Sequence, residues 1–206
     1  MFVSMNWIQE FVDLSGEDIE SLIKRFTLST AEVEDIIYKG KEVQGVIVAQ
    51  IKSVENHPNS KKLHLLKIDT GSSVVDCVCG APNVEVGQKV AFAPVGSHVV
   101  GMEITEATVA GYVSQGMCCG EDELGISDDH SGLMVIDQDA PLGTDIKSIY
   151  AIDDIIFEVD NKSLTNRPDL WGHYGIAREF AVIANKPLLP LSLTELVYNG
   201  SEKIAV

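Results

Sequence analysis

The chain has 206 residues, 45% of them hydrophobic and 22% charged, which suits one large or two small globular domains with a packed core. Fifteen basic residues stand against 31 acidic ones, so the net charge is −16 and the pI about 4.5. So acidic a chain repels nucleic acid at long range, and any contact with it has to come from a local basic patch.

At the start, Met1-Phe2-Val3-Ser4-Met5-Asn6-Trp7 has neither the positive segment nor the apolar stretch of a secretory leader, so none is expected. No apolar run approaches the ~20 residues of a membrane-spanning helix. Trp7, Ile8 and Phe11 predict a short helical turn. Ser15 is the expected N-cap of a second helix, with Glu17 and Asp18 in its first turn. Ile19, Leu22, Ile23 and Phe26 follow at helical spacing and form one apolar face. A strand is expected from Glu32 to Tyr38, closed by Gly40.

From residue 43 the pattern becomes β-branched. Strands are predicted over 43–54, 63–69, 73–79 and 89–93, punctuated by turn residues. Shorter strands are expected near Ile104 and Val109, and a helical turn near Glu121 to Leu124. A further strand covers 155–159, and Asn166-Arg167-Pro168-Asp169 reads as a turn. Tyr174, Ile176, Ala177, Phe180, Ala181 and Ile183 predict a helix that stops before Asn185-Lys186-Pro187, because proline cannot continue it. Asn199-Gly200 is a hairpin-type dipeptide.

Short strands at close spacing predict a β-barrel over residues 42–148. The helix-bearing ends, 1–41 and 149–206, are each too short to bury much surface alone. They are expected to pack together as one discontinuous domain. The expected class is therefore α+β: a five-stranded OB-fold barrel inserted into a small, discontinuous, helix-containing domain.

The charge is segregated. Five lysines face three carboxylates between residues 41 and 70, whereas twelve carboxylates face one lysine between 121 and 160. The turn beginning at His57 delivers Lys61 and Lys62 into a strand, and strict alternation would set His64 on the face of Lys62. An OB barrel binds oligonucleotides on the face of its second and third strands, with flanking loops. Lys52, Lys61, Lys62 and Lys67 are the candidate phosphate contacts, with Asn59 and His64 beside them. Ser114 and Gln115 offer a hydroxyl and an amide to a bound backbone. Taken alone, two lysines in a turn are ordinarily just solvated.

Cys77, Cys79, Cys118 and Cys119 with His57 and His64 raise the question of zinc, but the paired CxxC-like clips of a tetrahedral site are missing. Cys77 and Cys79 share one face of a strand, so core packing of reduced thiols is expected. Asp128, Asp129, His130, Asp137 and Asp139 lack the spacing and central glycine of an EF-hand and read as a solvated acidic loop. No glycine-rich phosphate loop occurs. Arg167 and Arg178, with Asp169, Glu179 and Asn166 nearby, read as structural, an arginine pairing with a carboxylate to fasten strand, turn and helix.

Three segments then carry a resemblance. HPNSKKLHLLKIDTG, VCGAPNVEVGQKVAFAPVG and SQGMCCGEDELG, in that order, resemble the tRNA-binding domain of several synthetases and of free-standing tRNA-binding proteins. NRPDL…GIARE downstream and MNWIQEFVDL upstream resemble the β subunit of bacterial phenylalanyl-tRNA synthetase, so the resemblance covers essentially the whole chain. Residues 159–165 and Trp171-Gly172-His173 depart from that family's pattern. The resemblance implies the N-terminal tRNA-binding and scaffolding segment of a subunit several times longer. The family enzyme is a heterotetramer of two α and two β subunits that joins phenylalanine to tRNA(Phe) with ATP and magnesium. Its adenylation site lies in α, and editing lies further along β. This chain is thus expected to be cytoplasmic, monomeric by itself, and without catalytic residues, metal or cofactor of its own. Its expected partners are tRNA(Phe) and the α subunit. Two other readings stay open: a free-standing OB-fold tRNA-binding or chaperone-like protein, which would not need NRPDL…GIARE, and an OB module that contacts protein, which suits the acidic balance.

Overall fold

The computed structural model describes residues 1–192. Its strands are, in order, β1 (Phe2–Ser4), β2 (Val33–Lys39), β3 (Ile47–Asn56), β4 (His64–Asp69), β5 (Val74–Cys79) and β6 (Lys89–Pro94). Short strands follow: β7 (His98–Val99), β8 (Met102–Glu103), β9 (Ala107–Val109), β10 (Tyr112–Ser114), β11 (Gly116–Cys118) and β12 (Val135–Ile136), and then β13 (Asp154–Val159). The α-helices are α1 (Met5–Gln9), α2 (Ile19–Ser29) and α3 (His173–Ala184). Two compact units result, one of Met1–Ile36 with the described residues from Ile156 on, the other of Ile37–Ile155.

In the first unit, the cap of α2 lies three residues later than expected. Gly16 takes a positive φ of +80°, which interrupts any helix there, and Asp18 caps instead by accepting the Ser21 N–H at 3.3 Å. Ser15 instead donates its hydroxyl to Asp13 at 2.5 Å in the preceding turn. Leu22, Ile23 and Phe26 are buried, as the spacing predicts. Phe26 stacks on Phe180 of α3 with centroids 5.3 Å apart, and meets Phe157 of β13 edge-on at 6.0 Å. Such pairs contribute about 0.5–1.5 kcal/mol beyond their area. β13 lies between β1 and β2, and the N-terminal ammonium donates to the Val159 carbonyl at 2.7 Å. His173 stacks on Trp7 at 4.0 Å and accepts the Ser4 N–H at 3.0 Å, which gives that unusual stretch a role in holding α1. Asn185 ends α3 in the left-handed conformation. The Asn199-Gly200 turn lies outside the described residues.

The second unit is built on an antiparallel sheet in the order β11-β6-β3-β4-β5, with β12 also on β6. The sheet curls into a nearly closed OB-type barrel. One strand, β3, pairs with β6 through Ile47–Gln50 and with β4 through Gln50–Asn56. The register shifts between Ile51 and Ser53, which makes Lys52 the extra residue of a β-bulge, the device that bends a strand around a barrel. Alternation then sends Ala49, Ile51, Leu66, Ile68, Cys77, Cys79, Val90, Phe92 and Cys118 into one core cluster. At Gly116 (φ +149°) any Cβ would run into the Phe92 ring, so the close passage expected there is real.

Candidate nucleic-acid interface

The lysine turn is fastened from beneath by His57, which is 3% exposed. Its Nδ1 accepts the Asn59 N–H at 3.1 Å, and its Nε2 faces the Ala110 carbonyl at 3.2 Å. An N–H can only donate and a carbonyl can only accept, so the ring is neutral with its proton on Nε2. The Tyr112 ring meets it edge-on, with centroids 5.0 Å apart. Ala110 and Gly111 both take positive φ, and Val109 pairs with Tyr112, so β9 and β10 form a two-residue hairpin with a primed turn. His57 thus joins the lysine turn to the tip of that hairpin. Nothing in the local sequence marks His57 for this role; its type and position suggest only a turn residue or a metal ligand.

The rest of the turn is held by backbone and Ser60. The His57 N–H donates to the Leu63 carbonyl at 3.0 Å, and the Ser60 hydroxyl accepts from the Lys62 and Leu63 N–H groups, both at 3.3 Å. Asn59, Lys61 and Lys62 are left exposed. Among the described residues, neither Lys61 nor Lys62 has a carboxylate within ion-pair distance.

Beside this turn, the outward residues of β3, β4 and β5 line a shallow groove of about 300 Å³. Leu65, Val78, Tyr112 and Val113 give it an apolar floor, and Glu55, Lys67 and Asp76 a charged rim. Tyr112 and Val113 are 39% and 47% exposed, enough for a planar or apolar ligand group to rest on. Two candidate lysines are partly neutralised here. Lys67 pairs with Asp76 at 2.5 Å and Lys52 with Asp69 at 3.6 Å. Both pairs are open to solvent, so each contributes no more than about 1 kcal/mol and can be exchanged for a phosphate.

Strand pairing does not put His64 and Lys62 on one face. The strand starts only at His64, so alternation does not reach back to the lysine. His64 instead falls in phase with the inward Leu66 and Ile68, opposite Cys79, and its Nδ1 is buried without a hydrogen-bond partner among the described residues. Ser114 and Gln115 hold the barrel seam between β5 and β11. The buried Ser114 hydroxyl donates to the Gly116 carbonyl at 2.8 Å and accepts the Val78 N–H at 3.0 Å. The Gln115 N–H donates to the Asp76 carbonyl at 2.8 Å, and its side-chain oxygen accepts the Asp76 N–H at 3.3 Å. With both hydroxyl functions used inside the wall, Ser114 is not placed to meet a ligand.

Residues 46–145 match the family model described as "Putative tRNA binding domain". The phenylalanine–tRNA ligase beta subunit of Leptospira biflexa is 36% identical over 208 residues, covering 100% of this chain and 26% of that protein. That of Aromatoleum aromaticum is 39% identical over 188 residues, covering 91% and 23%, and that of Fusobacterium nucleatum 34% over 212 residues, covering 100% and 26%. The chain is homologous to the N-terminal region of the phenylalanine–tRNA ligase β subunit. It spans about a quarter of the length of these relatives. Among solved structures, a MetRS related protein from Pyrococcus horikoshii covers 62% of the chain and 94% of its own length at a TM-score of 0.37 and 18% identity.

The likeness to the ligase subunit continues past the barrel into the segment with NRPDL…GIARE. Arg167 grips Asp169 with two parallel bonds at 3.0 and 2.9 Å and Glu179 with a third at 2.7 Å. Arg178 donates to the same Asp169 oxygen at 2.5 Å, and Thr30 of α2's C-terminal turn donates to Glu179 at 3.2 Å. The Arg167 hydrogen bonds hold the Asp169 carboxyl down at about 2. The network ties turn to helix and is partly solvated, whereas Asn166 lies exposed beside it. All four cysteines are buried and unbridged, and no metal-holding group of His, Cys, Asp or Glu occurs among the described residues. None of their helices is long and apolar enough to cross a membrane.

Proposed function

We propose that this chain acts as the N-terminal segment of a phenylalanine–tRNA ligase β subunit and that its barrel grips tRNA through the β3–β5 face and the lysine turn. The observation that carries the reading is the pair Lys61 and Lys62, presented on a hydrogen-bonded turn beside an apolar groove and, among the described residues, free of competing carboxylates. Those ammonium groups would sit on the phosphates of the tRNA backbone, with Asn59 beside them. Lys52 and Lys67 would join after giving up their surface partners, and Tyr112 and Val113 would take a base or ribose. Such a grip reads shape and phosphate more than sequence.

The full enzyme would join phenylalanine to tRNA(Phe) with ATP and magnesium, as two α and two β subunits in the cytoplasm. We assign this segment no step of that chemistry, and infer that it is monomeric when separate, since the domains that pack on α would lie further along β. Titration with tRNA at several salt concentrations tests the reading. Each phosphate contact adds about −0.7 to −0.9 to the slope of log K against log salt. Replacing both lysines, Lys61→Ala with Lys62→Ala, should flatten the slope by roughly 1.5 and weaken binding to unrelated tRNAs equally. The net charge of −16 favours a second reading, in which this face meets protein. Undetectable tRNA binding at low salt would move the assignment there.

A further inference from the structure

Next to the β3–β5 groove, along β5 where Val78 lines both, a cleft of about 450 Å³ is lined by Cys79 and Cys118, together with Pro82, Asp122, Glu123 and His130. The two cysteines are 7% and 6% exposed, so each shows a sliver of surface to this cleft. Cys77 lies behind them, with its sulfur 3.9 Å from that of Cys118. Cys118 is hydrogen-bonded to the Cys77 thiol, and the Cys77 and Cys79 thiols beside it, with burial, push its own thiol well above the ordinary range. The arrangement spans the barrel's weakest line. Cys77 and Cys79 are on β5 and Cys118 is on β11, and these strands are joined by the few Ser114 and Gln115 bonds in place of a regular ladder. Cys77 also lines the β3–β5 groove, whereas Cys79 and Cys118 line only this cleft.

The chemistry of the trio is uneven. The Cys79 sulfur accepts the Ala81 N–H at 3.4 Å, and hydrogen bonding from Cys118 draws its thiol below the ordinary range, both of which favour a thiolate. Asp122 and Glu123 give the cleft a negative wall.

We propose that Cys79 and Cys118 form a thiol-exchange site for small neutral or cationic disulfides, and that reaction there links β5 to β11 by a protein disulfide. Cys79 loses its proton to solvent and its sulfur attacks one sulfur of the reagent. The reagent's S–S bond breaks, and its first half leaves as a thiolate that takes up a proton. The Cys118 sulfur, its own proton passing to solvent, then attacks the Cys79 sulfur and releases the second half as a thiol. Two protein thiols are oxidised by two electrons, and one disulfide is reduced to two thiols. Cys77 can displace Cys79 from the bridge by exchange with Cys118, and that pairing crosses the same seam.

The folded chain, reduced and then exposed to cystamine, is the test. Thiols counted after denaturation should fall from four to two, and peptide mapping should place Cys118 in a bridge with Cys79 or Cys77. Cystamine, which is cationic, should react roughly ten-fold faster than the anionic glutathione disulfide, with the ratio shrinking as salt is added. Cys118→Ala should stop at a mixed disulfide on Cys79, whereas Cys119→Ala should bridge like the parent. If Cys118→Ala does not fold, the map of the parent protein decides alone. Four thiols still free in the folded chain, a bridge that contains Cys119, or oxidation seen only in urea would overturn the proposal.

Discussion

His57→Ala puts the organisation of the lysine turn to a direct test. The substitution removes a buried ring that makes two hydrogen bonds, to Asn59 and Ala110, and an edge-on contact with Tyr112. Each bond is worth about 0.5–1.5 kcal/mol, and the aromatic contact a similar amount, so the loss should total about 2–4 kcal/mol. With a urea slope of about 1–3 kcal/mol per molar, the unfolding midpoint should drop by about 0.7–4 M. The damage should also be local. The Asn59 amide, now without an acceptor, should exchange with solvent far faster than amides in β6. tRNA affinity should fall because Lys61 and Lys62 lose their platform, although neither has been touched. His57→Asn offers an oxygen near the Nδ1 position but no donor within reach of Ala110, and should recover part of the stability. A His57→Ala protein with an unshifted midpoint and an unchanged Asn59 amide would refute the view that this ring joins turn and hairpin.

Other outcomes follow from the same geometry. Ser114→Ala strands the Val78 N–H at the seam and should cost about 1–3 kcal/mol in a denaturant titration, with tRNA binding per folded molecule nearly unchanged. Gly175→Ala drives a methyl group into the Asp169 carbonyl, so α3 has to lift from the turn before it; calorimetry should show the first unit melting well below the parent. Asp169 is held at about 2 in the folded chain, below its unfolded value of about 3.9, so its contribution is complete above pH ~4 and is lost as pH falls toward 2. Asp169→Asn should therefore lower stability at neutral pH and flatten its pH dependence across that acid window, as read by circular dichroism.

Much of the barrel was legible because strand phase is a local property. The run ending at Cys79 is rich in valine, and its period-two phase sends Cys77 and Cys79 to one inward face. The start of α2 was misjudged because Ser15 and Asp18 are both good caps, and the choice turned on the backbone of Gly16 between them. The face of His64 is set by β4, in phase with Leu66 and Ile68, whereas Lys62 belongs to the turn, where alternation does not apply. The β9–β10 hairpin left a weak signal: an alanine takes the left-handed position at its tip, where asparagine or glycine would have announced it.

Residue order by itself determined the order of the main elements, the shared inward face of Cys77 and Cys79, the apolar faces of α2 and α3, and the likeness to a tRNA-binding domain. Only the tertiary structure decided which polar groups remain available. His57, Ser114 and Gln115 satisfy partners more than thirty residues away, while Lys61 and Lys62 meet none among the described residues. A side chain's chemistry is written in its own letter. Its freedom to act depends on donors and acceptors brought beside it by the curling of the sheet, and local pattern carries no record of those distances.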